Sequence, residues 1–179
     1  MTIEPNLWPT SAVIDWLNIL LNSQSFPNRE VRMKEAEQII RSRLNFQGTT
    51  MGFTTEKTDC LWWLMVSNDV NAVRVLLPLL QLADWKESMP RLVNGALARQ
   101  RRGAWDLTLA NAWGVLAMEK FSRAFEAVPV TGSTRAALSG KTKTGDWSSF
   151  PKGETFSFPW PSEKKDLTVT HQGTGRPWV

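Results

Sequence analysis

Chemistry in a folded chain needs nucleophiles, ligands or charges brought together, and this sequence is sparing with all three. Cys60 is the only cysteine and His171 the only histidine. A zinc site needs three or four such ligands, so two residues this far apart predict no metal site. Cys60 stands beside Leu61, Trp62 and Trp63 and reads as a small buried hydrophobe rather than a nucleophile. His171, the one imidazole base, adjoins Gln172 and Gly173 at the end of an expected strand. Asp59, Asp69, Asp84 and Asp106 stand singly, without the acidic box that would hold magnesium with diphosphate or protonate an alkene. Arg99, Arg101 and Arg102 have the composition of a phosphate clamp, but their expected place in the last turn of a helix explains them through the dipole and through solvation. Gly173, Gly175 and Pro177 lack the strand-to-helix setting and the following Lys and Ser or Thr of a phosphate loop, and are expected to form a hairpin turn. Trp62, Trp63, Trp105 and Trp113 have the bulk to line a hydrophobic ligand cavity, yet core packing is the plainer role. No catalytic, cofactor-binding or metal-binding residue is assigned, and the chain is not expected to be an enzyme.

Composition points the same way. The 179 residues suffice for one ordinary domain or for a helical unit followed by a smaller one. Residues 1–126 carry 14 Lys plus Arg against 13 Asp plus Glu, and residues 127–179 carry 7 against 4, an excess of +1 and +3. Acidic and basic groups alternate along the helices, so the surface is mixed and solvated and no nucleic-acid partner is expected. A lone cysteine forms no intrachain disulfide, which leaves the redox compartment open. The amino terminus shows no export signal, and no run approaches the roughly 20 apolar residues that span a bilayer. A strand is expected to begin at Pro177, Trp178 and Val179 as the sequence stops, so the chain is expected to be a piece of a longer protein with an added initiator methionine.

The elements that would position these residues follow from periodicity. Residues 88–125 read as two helices joined by a tight turn, and the rest is arranged around them. Ser88 is the expected cap, Pro90 suits the first turn, and Leu92, Val93, Ala96 and Leu97 form the stripe. Gly103 is expected to end the first helix, and Asp106 or Thr108 to cap the second. The second is expected to bury Leu109, Ala112, Trp113, Leu116, Ala117 and Phe121, widened by Val115, Met118 and Phe125 until it is central to the core. Upstream, a helix over 9–22 shows Val13, Trp16, Leu17, Leu20 and Leu21, and a second, capped by Asn28 and reaching Leu44, shows Met33, Ala36 and Ile40. Residues 45–59, with Gly48, Gly52 and five threonines, suggest a short hairpin or irregular excursion, and the apolar run 61–66 is expected to be buried whether strand or helical turn. A helix over 69–83, capped by Asp69 and kinked at Pro78, carries Val70, Val73, Leu76, Leu77 and Leu80. Past Ala127 the helical period stops. Residues 131–145, 154–160 and 166–171 read as strands, with Phe156 and Phe158 on one side and Leu167 and Val169 alternating with polar neighbours.

Helix pairs separated by Trp-containing turns make a loose repeat. At the central turn, Gln100, Gly103 and Trp105, followed by Thr108, Asn111, Ala112 and Trp113, resemble the helical-toroid repeat of the α-2-macroglobulin and complement thioester-domain family. The resemblance extends back through residues 67–82 and forward to residues 171–178, which are similar to the Gly-rich hairpin entering the macroglobulin-like β domain of bacterial members. It implies an α+β, mainly α fold: helical hairpins of the α/α toroid type over 1–127, then a small incomplete antiparallel β region over 128–179. It also implies a segment of a secreted bacterial protease inhibitor that encloses an attacking protease after cleavage of a bait, many members adding a thioester that acylates it. The partners so implied are proteases, through the full-length protein, and a cell-wall synthase; the implied location is the periplasm, lipid-anchored to the inner membrane outside this chain. One departure stands out. The thioester needs Cys-Gly/Leu-Glu-Gln, whereas Leu61, Trp62 and Trp63 follow Cys60, so that ring does not form here. Gln, Gly and Trp at these spacings also recur in other α/α toroids, which makes a lipid-binding or terpenoid-processing α/α-barrel enzyme the alternative.

Overall fold

In a computed structural model, which describes residues 3–54 and 62–177, the apolar positions at helical spacing become the interior of a first helical hairpin. Helix α1 (Thr10–Asn22) buries Val13, Ile14, Leu17 and Leu20, and helix α2 (Arg29–Arg43) answers with Ala36, Ile39 and Ile40. Asn28 does not cap α2 with its side chain; it takes φ 53° and turns the chain between the helices. Arg29 does the capping work instead, for the other helix. Its Nε donates to the Leu20 carbonyl at 2.5 Å and Nη2 to that of Leu21 at 3.3 Å, satisfying oxygens left free at the end of α1. At the far end of α2, Arg43 donates to Thr10 Oγ1 and to the carbonyls of Asn6 and Trp8, which ties down the entry to α1.

Leu44 leaves the helix and begins strand β1 (Leu44–Gln47), which pairs antiparallel with β2 (Thr50–Phe53) around Gly48 and Thr49, the hairpin alternative for this stretch. Met51 is the buried residue of that hairpin. The expectations for Asp59, Cys60, Leu61 and the Trp62 side chain lie outside the described residues. Trp63, Leu64 and Met65 are 61%, 62% and 54% exposed, so that part of the apolar run 61–66 is not buried. A run this short gave no face to place inward.

Helix α3 (Asn68–Arg74) is capped by Ser67, whose Oγ accepts from the Val70 amide at 3.1 Å, and not by Asp69. The break to α4 (Leu76–Leu79) falls at Val75, three residues before Pro78, where proline removes a donor and crowds the preceding turn. Val70, Val73, Val75, Leu76 and Leu79 are fully buried. Trp85 follows in a short 3-10 turn (Ala83–Trp85), completely enclosed, with its indole Nε1 donating to Glu37 Oε2 at 3.0 Å and the Arg41 guanidinium 4.1 Å from the ring centroid. An indole this deep needs a polar partner, and α2 supplies one from each of two successive turns.

Helix α5 (Met89–Ala98) has Pro90 in its first turn as anticipated, no side-chain cap from Ser88, and buried Leu92, Val93 and Ala96, while Leu97 is exposed. It packs against β2, and Gly95 is the reason the two backbones meet: a Cβ there would stand 2.1 Å from the Met51 carbonyl oxygen. Helix α6 (Thr108–Phe125) corrects the sequence reading most. Ala112 is exposed and Val115 is 69% exposed, Leu109, Trp113 and Leu116 are only half-buried, and the inward line is Ala110, Gly114, Ala117 and Phe121. Small residues lead this line, and of the expected buried set Ala117 and Phe121 are buried.

The chain divides into units Met1–Lys120 and Phe121–Val179, the division falling within α6. In the second unit β3 (Ser133–Leu138), β4 (Lys141–Asp146) and β5 (Thr168–Gln172) form an antiparallel sheet in the order β4-β3-β5. Residues 154–160, expected as a strand, form none: Phe156 and Phe158 do turn to one side as half-buried residues, but no ladder pairs them and Pro159 and Pro161 interrupt donors where one would run. The whole is α+β, about 45% helix against 16% strand, with its strands in two small antiparallel sheets.

Candidate functional site

Two places combine polar groups with a defined shape. The first is the link between α5 and α6. Helix α5 stops at Ala98, so Gly103 is not its end. Arg101 and Ala104 instead exchange backbone hydrogen bonds, Arg101 N to Ala104 O at 2.8 Å and the reverse at 3.3 Å, around Arg102 at φ 56° and Gly103 at φ 81°. Two left-handed residues in the centre make this the tight turn typical of β-hairpins. Asn111 holds the returning arm: its Oδ1 accepts from the Trp105 amide at 3.1 Å, and its Nδ2 donates to the carbonyls of Trp105 at 3.0 Å and Leu107 at 2.8 Å. The Trp105 indole donates to the Ala96 carbonyl at 2.8 Å and lies across Gly114, where a Cβ would stand 2.2 Å from the ring.

Asp69, expected only as a cap, is the hub of this link. It is 8% exposed, its Oδ1 accepts from Arg99 Nε at 2.7 Å and its Oδ2 from the Asp106 amide at 3.1 Å. Asp106 in turn accepts from Ser67 Oγ at 2.9 Å. The acidic residues therefore do not all stand apart. Asp69 and Asp106 meet across 37 positions, but both are engaged in holding backbone and side chains, and Arg99 is bound to Asp69 rather than resting on the helix dipole. No spacing rule joins residues so distant, and the burial of Asp69, Gly114 and Trp85 and the close approach at Gly95 all escaped the sequence reading. Among the tryptophans proposed for a cavity, Trp105 is in the core, Trp113 is half-buried with the Arg74 guanidinium 5.6 Å from its ring, and Trp63 is exposed.

The second place is a groove of about 360 Å³ in the β unit, whose walls include Ala136, Trp147, Phe150, Phe156, Phe158, Leu167 and Val169. Gly145 lets it form, since a Cβ there would come 2.9 Å from both Glu154 Oε2 and Phe156 Cζ. Thr134 sits at its base and accepts from Trp147 Nε1 at 2.8 Å, which leaves its hydroxyl proton for His171 Nδ1 at 3.0 Å. That arrangement assigns His171 the Nε2–H tautomer, facing the Thr174 carbonyl at 3.3 Å. His171 is thus a strand-pairing residue, and among the described residues no three His, Cys, Asp or Glu gather as a metal site. Asp146 ends β4: its Oδ1 accepts from the Ser148 hydroxyl at 2.5 Å and amide at 2.7 Å, and these two bonds, the hydroxyl first, hold its carboxyl below the ordinary aspartate value.

Gly173 and Gly175 do not turn the chain back. They run on beside residues 129–132, where Thr131 N donates to Thr174 O at 3.1 Å and the Thr131 and Thr174 hydroxyls lie 2.6 Å apart. A Cβ on Gly173 would reach 1.8 Å from the Thr131 carbonyl oxygen, so glycine is needed for the approach and not for a hairpin. Comparison with protein-family models, curated proteins and solved structures finds no match to this chain.

Proposed function

We propose that the chain is a non-enzymatic segment of a bacterial α-2-macroglobulin-like protease inhibitor. In this reading residues 1–127 are the C-terminal part of a helical thioester-type domain with its hairpins in an α/α toroid, and residues 128–179 begin a macroglobulin-like β domain. The observation that carries it is the α5–α6 link. The residues that bear the family resemblance there, Trp105 and Asn111 above all, are spent on joining two helices, and the nearby carboxylates Asp69 and Asp106 are spent on the same joint. Side chains consumed in this way suit a load-transmitting joint of a large trap better than a reaction centre. The full-length protein would act in the periplasm, anchored by lipid to the inner membrane beside a cell-wall synthase, with proteases as its targets.

Two measurements test the reading. Incubated separately with methylamine and with active trypsin, the chain should show no added amine and no stable covalent protease adduct by intact mass; either product would place reactive acyl chemistry here. The parent polypeptide, cleaved by trypsin, should block trypsin's action on protein substrates while small peptide substrates are still cut. Equal loss on both would indicate active-site inhibition and reject enclosure.

A further inference from the structure

Arg101 and Arg102 are left without the role their sequence position suggested. Helix α5 ends before them, and the residue at its end is Arg99, which is paired with Asp69. Both are exposed, and among the described residues neither guanidinium has a hydrogen-bond or ion-pair partner. Arg102 also holds φ 56°, a left-handed conformation that strains a residue with a side chain and that this turn type reserves for Asn, Asp or Gly. Beneath them the base of the turn is fixed from both arms: Asp69 binds Arg99 on one side and the Asp106 amide on the other, and Trp105 is pinned by Asn111 and Ala96. A strained arginine on so stiff a support, with no hydrogen-bond or ion-pair partner among the described residues, is preorganised for a contact outside.

We propose that the turn from Arg101 to Ala104 is a docking point for an acidic protein segment, whose carboxylates are taken by the Arg101 and Arg102 guanidiniums. The forked guanidinium matches a carboxylate in two parallel hydrogen bonds, and two of them side by side suit a run of Asp or Glu. The charge balance of 14 against 13 over residues 1–126 supplies no extended basic stripe for a nucleic acid or an anionic membrane.

The test is a titration of the ¹⁵N-labelled full chain with hexaglutamate at low ionic strength, about 20 mM salt, following the arginine Nε–H signals. Saturable shifts confined to Arg101, Arg102 and their neighbours are expected, weakened about tenfold in an Arg101→Gln/Arg102→Asn variant. Asparagine is favoured at this turn position, so that variant should keep or raise its melting temperature and separate binding from folding. The proposal is overturned by shifts spread evenly over surface lysines and arginines, by unchanged affinity in the variant, by a variant that melts earlier, or by inorganic phosphate saturating the turn where hexaglutamate does not.

Discussion

The helical unit and the β unit solve the problem of an interior in opposite ways. In the first, branched aliphatic side chains from α1 to α5 are buried along with Trp85, and Gly95 and Gly114 admit a strand backbone and an indole ring at close range. In the second, the described sheet has a single buried apolar residue, Ala136, and on one face the aromatic side chains border an open groove instead of filling it. The other face, with Ser133, Arg135, Thr142, Thr144, Thr168 and Thr170, is polar apart from Ala137. Alternation along strands is enough to set a sheet's two faces, but it takes apolar volume to make one of them a core, and residues 121–179 hold little of it.

The sharpest way to break this comparison is Trp85→Ala. Full burial, a bond to Glu37 and a stacked Arg41 should make it cost about 3–5 kcal/mol in chemical denaturation, whereas half-buried Trp113→Ala should cost about 1–2 kcal/mol. Equal costs would remove Trp85 from the centre of the helical unit. Gly114→Ala should follow at about 1–3 kcal/mol, because the new methyl displaces the Trp105 ring; a neutral midpoint would mean that the ring shifts freely. Amide exchange should separate the units by about tenfold or more, equivalent to 1.4 kcal/mol, with β3–β5 amides opening before those of α1 and α5. Matched protection would show that the groove face is closed in solution. The smallest effect concerns Asp146. Its carboxyl is lowered in the fold, so its bonds to Ser148 are present at neutral pH and are lost only as pH falls below the ordinary carboxylate range. The Ser148 amide signal should move in that acidic window and stay still in Asp146→Asn; movement near neutrality would assign the titration to another group.

Much of the helical unit was legible because amphipathic spacing is a local property. The bounds of α1 and α2 followed from it closely, as did the start of α5 but not its end, which falls at Ala98 and not at Gly103; the hairpin around Gly48 is one of the two alternatives that the glycines and threonines suggested there. What escaped depends on partners. Helix α6 looked apolar all round, yet Ala110 and Gly114 face inward because a flat indole needs clearance that Val115 would deny. Asp69 resembled a cap because capping is decided within four residues, while its actual partners lie 30 and 37 positions away. The alternation in 154–160 was real, but a strand also needs a neighbour with free donors and acceptors, which periodicity does not report. For the site, the sequence indicated where the α5–α6 turn would fall and missed what fixes it.

Ten tryptophans and no tyrosine make the near-ultraviolet absorption and emission of this protein almost purely indole. Trp85 and Trp105 sit in dry surroundings and emit toward the blue, while Trp160, 96% exposed, emits like indole in water. Replacing the exposed Trp63 and Trp160 with phenylalanine should trim the red edge of the spectrum without touching a buried residue. Unfolding of the helical interior can then be followed by its own shift in wavelength, in the intact chain and with no added dye.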